Sequence, residues 1–227
     1  MSASISHELN NPLAAIRSYA DNGRLFLAKE KTDRVDDNLS RISALTDRMA
    51  KISHQLRSFA KKSTAEELHT LQILPVLHSS KELMKPQLKS ERVKINELPD
   101  AFDVRVVANA IQLEQVVINL LTNAIQAMDQ QDDKQLSILL EIRPPSTDTT
   151  STLLIHIDDN GPGFSSPSNG DFFEPFHTTK KNGLGLGLSI SQQIISGING
   201  KLITGTSPQG GARFSIELPI VPTKESD

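Results

Sequence analysis

His7 and Glu8 stand side by side in the segment ISHELNNPLAAI, where an apolar-periodic helix is predicted to begin. A neutral imidazole nitrogen can act as a nucleophile, and an adjacent carboxylate can take the proton of the other ring nitrogen. Asn11 follows one turn after His7 on the same helix face, and Pro12, which lacks a backbone N–H, is expected to bend the helix. Asn11 also stands where zinc proteases carry a second histidine, so that motif is excluded. On its own, such a histidine–glutamate pair is usually a solvated helix face.

Two asparagines, Asn119 and Asn123, are one helical turn apart in the segment EQVVINLLTNAIQAM. Their uncharged amide oxygens lie on one face of a predicted helix and could coordinate a hard cation such as Mg²⁺. Taken alone, the pair is also compatible with an ordinary polar face.

Two glycine-containing segments have the composition of a nucleotide site. In IHIDDNGPGF, Asp159 ends a predicted strand before a tight turn with Gly161 and Gly163, and its carboxylate could accept a hydrogen bond from the amine of adenine. In NGLGLGLSI, alternate glycines precede a predicted helix, whose N-terminus favours phosphate: Gly183, Gly185 and Gly187. This segment lacks the lysine of a P-loop and does not follow a strand as a dinucleotide fingerprint does. Either segment alone could be a simple turn.

The apolar pattern predicts the elements that must position these groups. A helical stripe from residue 4 to about 27 and a heptad-like seam over 35–59 predict two amphipathic helices joined across AKEKTD. A lone hairpin cannot cover both stripes, so we expect two chains to form a four-helix bundle. The helical apolar pattern ends near residues 63–67, which predicts domains at 1–64 and 65–222, with a tail at 223–227.

The second domain mixes strands and helices. Its predicted strands cover residues 93–95, 104–107, 136–142, 153–157, 201–204 and 213–218. Its predicted helices cover residues 75–89, 109–128 and 184–198. This order predicts an α/β sandwich of one sheet and one helical layer.

Charge and composition exclude several classes of function. The 24 basic and 27 acidic residues form no long block of one sign, so no nucleic-acid or membrane surface is expected. The absence of cysteine excludes disulfides and thiolate metal sites. No apolar run approaches the ~18 residues of a membrane span, and the first residues do not form a secretory signal. We expect a cytoplasmic piece of a longer protein.

The order of these segments resembles sensor histidine kinases. The asparagine pair, the Asp-x-Gly-x-Gly turn, FFEPFHTTK, the glycine-rich turn and GGARF resemble their ATP-binding domain, and SHELNNPLAAIRSYADN resembles their phosphoacceptor box. The Asn-Pro-Leu after His-Glu is most similar to the C4-dicarboxylate and nitrogen-regulation sensors. The resemblance implies an α+β protein: a helical hairpin that forms a dimeric four-helix bundle, then a two-layer ATP-binding sandwich of the type shared with chaperone ATPases.

The same resemblance implies a function. His7 would be phosphorylated by ATP and would pass the phosphoryl group to an aspartate of a response regulator receiver domain, with phosphatase activity toward that regulator. The implied cofactors are ATP and Mg²⁺, and the implied assembly is a homodimer that does not bind nucleic acid. The chain would be the cytoplasmic portion of a bacterial inner-membrane sensor, attached only through an N-terminal sensor region outside this sequence.

Residue roles also follow from the resemblance. Glu8 would be the base beside His7, and Asn11 would orient water for dephosphorylation of the regulator. Asn119 and Asn123 would form the Mg²⁺ site, with Asn123 as the direct ligand. The ATP-binding residues would further include the adenine acceptor, the glycine cradle and two phosphate contacts in a mobile lid over 164–182: Asp159, Gly161, Gly163, Gly183, Gly185, Gly187, Leu188, Thr179 and Lys180.

Two positions depart from the family pattern, and two rival functions remain. Gln126 stands where many members carry a phosphate-neutralising lysine, and Ala212 stands where threonine is common. One rival is an ATP-driven conformational machine of the same nucleotide fold, which would carry glutamate where this chain has Asn119. The other rival is a non-catalytic scaffold that binds a response regulator, which would have no use for a nucleotide site.

Overall fold

The computed structural model describes residues 2–60, 68–145, 151–164, 171–175 and 185–222, with backbone alone for 2–9, 48, 51–60 and 171. The chain divides into two compact units, each described separately. The helical unit contains the first two helices, and the α/β unit contains every described element from His69 onward. The predicted limits at 64/65 and 222/223 fall at the edges of undescribed segments and stay predictions.

The helical unit is the predicted hairpin. Helix α1 spans Ser2–Leu27 and α2 spans Thr32–Ala60. Glu30 has a left-handed backbone (φ 57°), which lets the chain reverse within the four residues between the helices. α1 continues through Pro12, which is buried.

The α/β unit holds seven strands, three α-helices and a 3₁₀ turn in its described residues. In chain order these are β1 (His69–Gln72), α3 (Ile73–Ser90), β2 (Lys94–Ile95), β3 (Arg105–Ala108), α4 (Ala110–Ala127), β4 (Gln135–Arg143), β5 (Thr152–Asp159), the 3₁₀ turn (Asp171–Phe173), α5 (Gly187–Gly197), β6 (Lys201–Thr206) and β7 (Ala212–Pro219). The side chain of Asn109 caps α4 by accepting a hydrogen bond from Gln112 N (3.1 Å).

The main sheet has the strand order β2-β4-β5-β7-β6, in which only the β2–β4 pair is parallel. Alternate residues of its central strand, Ile155 and Ile157, face the core that the helices cover. Leu120 and Leu121 of α4 are fully buried in the same core. The expected sandwich of one sheet and one helical layer is confirmed.

One strand was missed, and one predicted strand lies in a different sheet from the others. β1 was not predicted, because four residues of mostly exposed HTLQ carry too little apolar pattern. It pairs antiparallel with β3 in a separate two-stranded sheet, so β3 is not part of the main sheet. The helix predicted over 184–198 is observed as Gly187–Gly197, and residue 184 lies outside the described residues.

Candidate functional site

Asp159 ends the central strand β5 and is almost completely buried, with 1% of its surface exposed. Its Oδ1 accepts hydrogen bonds from the backbone N–H groups of Gly161 (2.9 Å) and Ala212 (3.1 Å). Backbone donors from two different segments fix the orientation of this carboxylate. A buried and oriented carboxylate of this kind can act as a hydrogen-bond acceptor for a specific ligand amine.

Glycines allow the backbone to approach Asp159 from two directions. A Cβ on Gly161 would lie 2.9 Å from Asp159 Oδ1 and 3.2 Å from the carbonyl oxygen of Ala127. A Cβ on Gly211 would overlap the backbone of Asp159. Gly163, two residues after Gly161, has a left-handed backbone (φ 69°). Gly211 was noticed only as part of the terminal Gly-Ala-Arg-Phe motif, because nothing local indicates that its turn lies against Asp159.

Asn119 connects α4 to the first turn of α5. Its Nδ2 donates to Ser191 Oγ (2.9 Å), and a Cβ on Gly187 would overlap its Oδ1. Ser191, which sequence reasoning missed, is 1% exposed. Asn119 therefore holds the N-terminus of α5 against α4. The glycine-rich segment directly precedes α5 in the sequence.

Asn123 lies one turn further along α4 and is half-buried, whereas Gln126 is exposed. No cluster of three or more His, Asp or Glu side chains that could hold a metal occurs in the described parts of the chain. Mg²⁺ sites are often completed by substrate phosphates and water, so an amide oxygen of α4 could be a protein ligand without such a cluster.

Of the predicted glycine-rich segment, the structure describes residues 185–188. Gly185 has φ 64°, a left-handed conformation that glycine adopts without strain. Leu188 is half-buried and packs against the core. Gly183, Thr179 and Lys180 lie outside the described residues, as does His177.

Three aromatic rings meet where the predicted lid begins. Phe164 lies 4.6 Å from Phe172 and 5.6 Å from Phe214 between ring centroids, the second pair in an edge-to-face arrangement. Phe214 is a buried residue of β7, two positions after Ala212. These contacts attach Phe164 and Phe172 to the sheet beside Asp159.

Asp158, which precedes Asp159 in β5, forms an ion pair on the opposite face of the sheet. Arg213 donates from Nε to Asp158 Oδ1 (2.7 Å) and from Nη2 to Asp158 Oδ2 (2.6 Å). The hydrogen bond with Asp158 raises the pKa of Arg213, although partial burial lowers it to a smaller extent. Sequence reasoning assigned neither residue a role.

The predicted acceptor residues belong to the helical unit. His7 and Glu8 lie in the first part of α1, where only the backbone is described, and Asn11 is exposed one turn later. The described helices include none long and apolar enough to cross a membrane.

Comparison with known families covers both units. The His Kinase A (phospho-acceptor) domain matches residues 1–65. The family described as Histidine kinase-, DNA gyrase B-, and HSP90-like ATPase matches residues 108–222. The second match spans the strands and helices that carry Asn119, Asp159 and Gly187.

Individual sensor proteins are similar over nearly the whole chain. The C4-dicarboxylate transport sensor protein DctB of Pseudomonas aeruginosa is 37% identical, with 98% of this chain and 36% of that protein covered. DctB of Rhizobium meliloti is 33% identical over 96% of this chain and 34% of that protein. The sensory histidine kinase/phosphatase NtrB of Rhizobium meliloti is 31% identical over 96% of this chain and 58% of that protein. The chain thus spans about a third of the length of the DctB proteins.

Solved structures share the fold. Histidine kinase ThkA, in its complex with response regulator protein TrrA, superimposes with a TM-score of 0.73 at 24% identity, over 99% of this chain and 62% of that one. The catalytic domain of ThkA alone gives a TM-score of 0.57 at 28% identity, over 68% of this chain and 99% of that one.

The phosphoacceptor and ATPase matches follow one another in the order that the sequence motifs predicted, and the second alone covers half of the chain. The relatives with the same order include both C4-dicarboxylate and nitrogen-regulation sensors. The chain therefore belongs to the sensor histidine kinases of two-component systems.

Proposed function

We propose that this chain binds ATP, phosphorylates His7 and transfers the phosphoryl group to an aspartate of a response regulator receiver domain. The observation that carries the proposal is the buried carboxylate of Asp159, oriented by two backbone N–H donors and approached closely by glycine backbone. An acceptor of this kind suits the exocyclic amine of adenine, whereas the carbonyl of guanine at the same position would be rejected.

In this proposal the remaining nucleotide contacts come from backbone and amide groups. Gly161, Gly163, Gly185 and Gly187 form the proposed glycine cradle of the nucleotide, and the N-terminus of α5 favours phosphate charge. Gly183, Leu188, Thr179 and Lys180 complete the proposed set on the strength of the family resemblance alone.

We further propose that Mg²⁺ binds at Asn123 together with the phosphates. Asn119 contributes indirectly, because its amide already binds Ser191 and its oxygen lies against Gly187. The identity of Asn119 also separates the proposal from the conformational ATPases of the same fold. An amide cannot act as the general base that those enzymes use to activate water.

The chemical step uses groups of the helical unit. A ring nitrogen of His7 attacks the γ-phosphorus of ATP, the bond between that phosphorus and the bridging oxygen breaks, and ADP leaves. Glu8 accepts the proton from the other ring nitrogen, which keeps the phosphorylated ring neutral. Asn11 would orient water when the phosphorylated regulator is hydrolysed, a phosphatase role supported by the similarity to the kinase/phosphatase NtrB.

The assembly that we propose is a homodimer in which two helical hairpins form a four-helix bundle, with domains at 1–64 and 65–222. The support is the exposure of large apolar side chains on the hairpin, between 48% and 61% for Leu13, Leu25, Leu27 and Leu39. Similarity to the DctB sensors supports a cytoplasmic location behind a membrane-embedded sensor region.

Incubation with γ-labelled ATP and Mg²⁺ tests the proposal. The unmutated chain should acquire acid-labile phosphate, and His7→Gln should abolish the label completely because no other histidine has an acid next to it in the sequence. Calorimetric affinity for ATP should be unchanged in that variant, since Asp159, which is proposed to bind the adenine, lies in the other unit.

His78→Gln is the matched control, because His78 is an exposed histidine on α3 that Leu77 and Ser79, rather than an acid, flank in the sequence. It should be labelled like the unmutated chain. Equal labelling of His7→Gln would contradict the proposal. Release of inorganic phosphate without any labelled protein would favour the conformational ATPase, and absence of ATP binding would favour the scaffold.

A further inference from the structure

The ion pair between Asp158 and Arg213 occupies a defined position in the sheet. Asp159 faces the helical layer, so Asp158, its neighbour in β5, faces the opposite side of the sheet. Arg213 lies directly across from Asp158 on β7. The Asp158 side chain is only 2% exposed and that of Arg213 is 25% exposed, so water competes little for their two hydrogen bonds.

This pair forms the last rung of the β5–β7 ladder. The register of the two strands ends at Asp158 opposite Arg213. One residue further, Ala212 N donates to the side chain of Asp159 (3.1 Å). Beyond the ion pair the backbone ladder has ended, and the side chain of Asp159 takes over by accepting a hydrogen bond from the backbone of β7.

We infer that the Asp158–Arg213 ion pair is a positioning device for base recognition. It fixes β7 against β5 at the rung beside Asp159, and so keeps the Ala212 N–H on the carboxylate that reads the base. The inference rests on the proposed function, in which Asp159 accepts the adenine amine. Asp158 and Arg213 do not touch the nucleotide in this account and act only through Ala212 and Asp159.

The chemistry of the pair suits positioning better than stabilisation. A buried ion pair generally adds little stability over two apolar residues of similar size. A bidentate guanidinium–carboxylate pair, in contrast, fixes both distance and orientation, because two parallel N–H···O bonds must form together. Lysine is a point charge on a flexible stem and cannot reproduce that constraint.

Gly211 makes the position of β7 critical. Its Cα lies so close to Asp159 that an added Cβ would overlap the Asp159 backbone. The turn from Ser207 to Gly211, closed by hydrogen bonds of 2.9 Å, therefore has little room to move toward β5. Movement away from β5 is opposed by the ion pair and by the Ala212 hydrogen bond.

The test compares the ratio of dissociation constants for GTP and ATP, measured by calorimetry, in three proteins. In Arg213→Lys, and in the double variant Asp158→Val with Arg213→Val, we expect the ratio to fall by roughly three- to tenfold relative to the unmutated chain, the size of effect expected when one buried hydrogen bond is loosened. The valine pair suits neighbouring strands and removes both charges together, so the double variant should still fold.

The ratio of the GTP and ATP dissociation constants distinguishes a positioning role of the Asp158–Arg213 pair from a merely structural one. A lower folded fraction weakens the apparent binding of both nucleotides equally and leaves their ratio unchanged. The matched control is the double variant Arg143→Val with Glu217→Val, which removes an ion pair (3.5 Å) on the same face of the sheet but away from Asp159. Its ratio should equal that of the unmutated chain.

A second measurement follows the Ala212 amide directly. Its hydrogen exchange should be faster in Arg213→Lys by about the same factor as the ratio falls, because the hydrogen bond to Asp159 opens more often. An unchanged ratio and unchanged exchange in both variants, with ATP still preferred over GTP, would overturn the positioning role alone. Equal affinities for the two nucleotides in the unmutated chain would overturn the base-reading proposal and the positioning role together.

Discussion

The two units of the chain differ in which side chains they bury. In the helical unit, four leucines have 48–61% of their surface exposed, while the polar residue Asn38 is 7% exposed and its Nδ2 has no hydrogen-bond partner. In the α/β unit, fully buried side chains such as Leu120 and Ile155 are apolar, and the buried polar groups described above bind partners.

The difference indicates what each unit needs in order to be stable. A two-layer sandwich buries the apolar faces of its own strands and helices against one another. A two-helix hairpin has no second layer, so its apolar stripe remains at the surface until another hairpin covers it. We therefore expect changes at equally exposed residues to have different effects in the two units.

The largest difference should appear between two leucines of almost equal exposure. Leu39 on α2 is 58% exposed and Leu83 on α3 is 59% exposed. We expect Leu39→Asp to weaken the proposed dimer by at least about 100-fold, since an unpaired charge buried in an interface costs roughly 3 kcal/mol or more. Leu83→Asp should leave the dimer intact. Light scattering at micromolar concentration measures both, and equal masses for the two variants would contradict the comparison.

Two glycines of the α/β unit should differ next most strongly. Gly211→Ala places a methyl group on the backbone of Asp159, and we expect a loss of roughly 1–3 kcal/mol in the free energy of unfolding together with weaker ATP binding. Gly197→Ala, at the end of α5, meets nothing within 4 Å and should stabilise by about 0.4–1 kcal/mol. Urea denaturation gives both values. If Gly211→Ala were neutral, the close approach to Asp159 would not constrain the site.

Two buried or half-buried asparagines should respond oppositely to leucine. Asn38→Leu removes an unsatisfied donor, and Gly23 opposite leaves space, so we expect a gain of about 1 kcal/mol. Asn96 instead bonds both backbone groups of Ile138 (2.8 and 2.9 Å), so Asn96→Leu should cost about 2 kcal/mol. Thermal unfolding of each variant measures the two changes in stability. A destabilised Asn38→Leu variant would show that the Asn38 amide has a hydrogen-bond partner in the assembled protein.

The smallest effect should be a pH dependence within the α/β unit. The hydrogen bond from Lys81 holds the pKa of Glu97 below its ordinary value of 4.5. A lowered pKa in the folded state stabilises the protein above pH 4.5, and this stability is lost as the pH falls through the lowered pKa. Glu97→Gln should therefore reduce the loss of stability on acidification below pH 4.5. Glu82→Gln, at an exposed pair with Lys85, is the control, and identical acid profiles for the two variants would refute the coupling.

Much of the fold could be predicted because its signals are local. The 3.6-residue stripes predicted α1, α2 and α4 from adjacent residues, and Asn109 is a local capping signal. The short strand β1 could not be predicted, since its pairing with β3 depends on residues more than thirty positions away. Its four residues carry almost no pattern of their own.

The sequence by itself determined the order of the motifs, and with it the family, because each motif depends on residue types at fixed short spacings. It also placed Asp159 at the end of a strand and the glycines before α5. Only the tertiary structure decided how that carboxylate is held. Its second donor, Ala212, is 53 positions away in the sequence. Asn119 donates a hydrogen bond to Ser191, which is 72 positions further along the chain. Hydrogen bonds of this kind form between strands and helices that meet only after the sheet has assembled, so no local pattern can specify them.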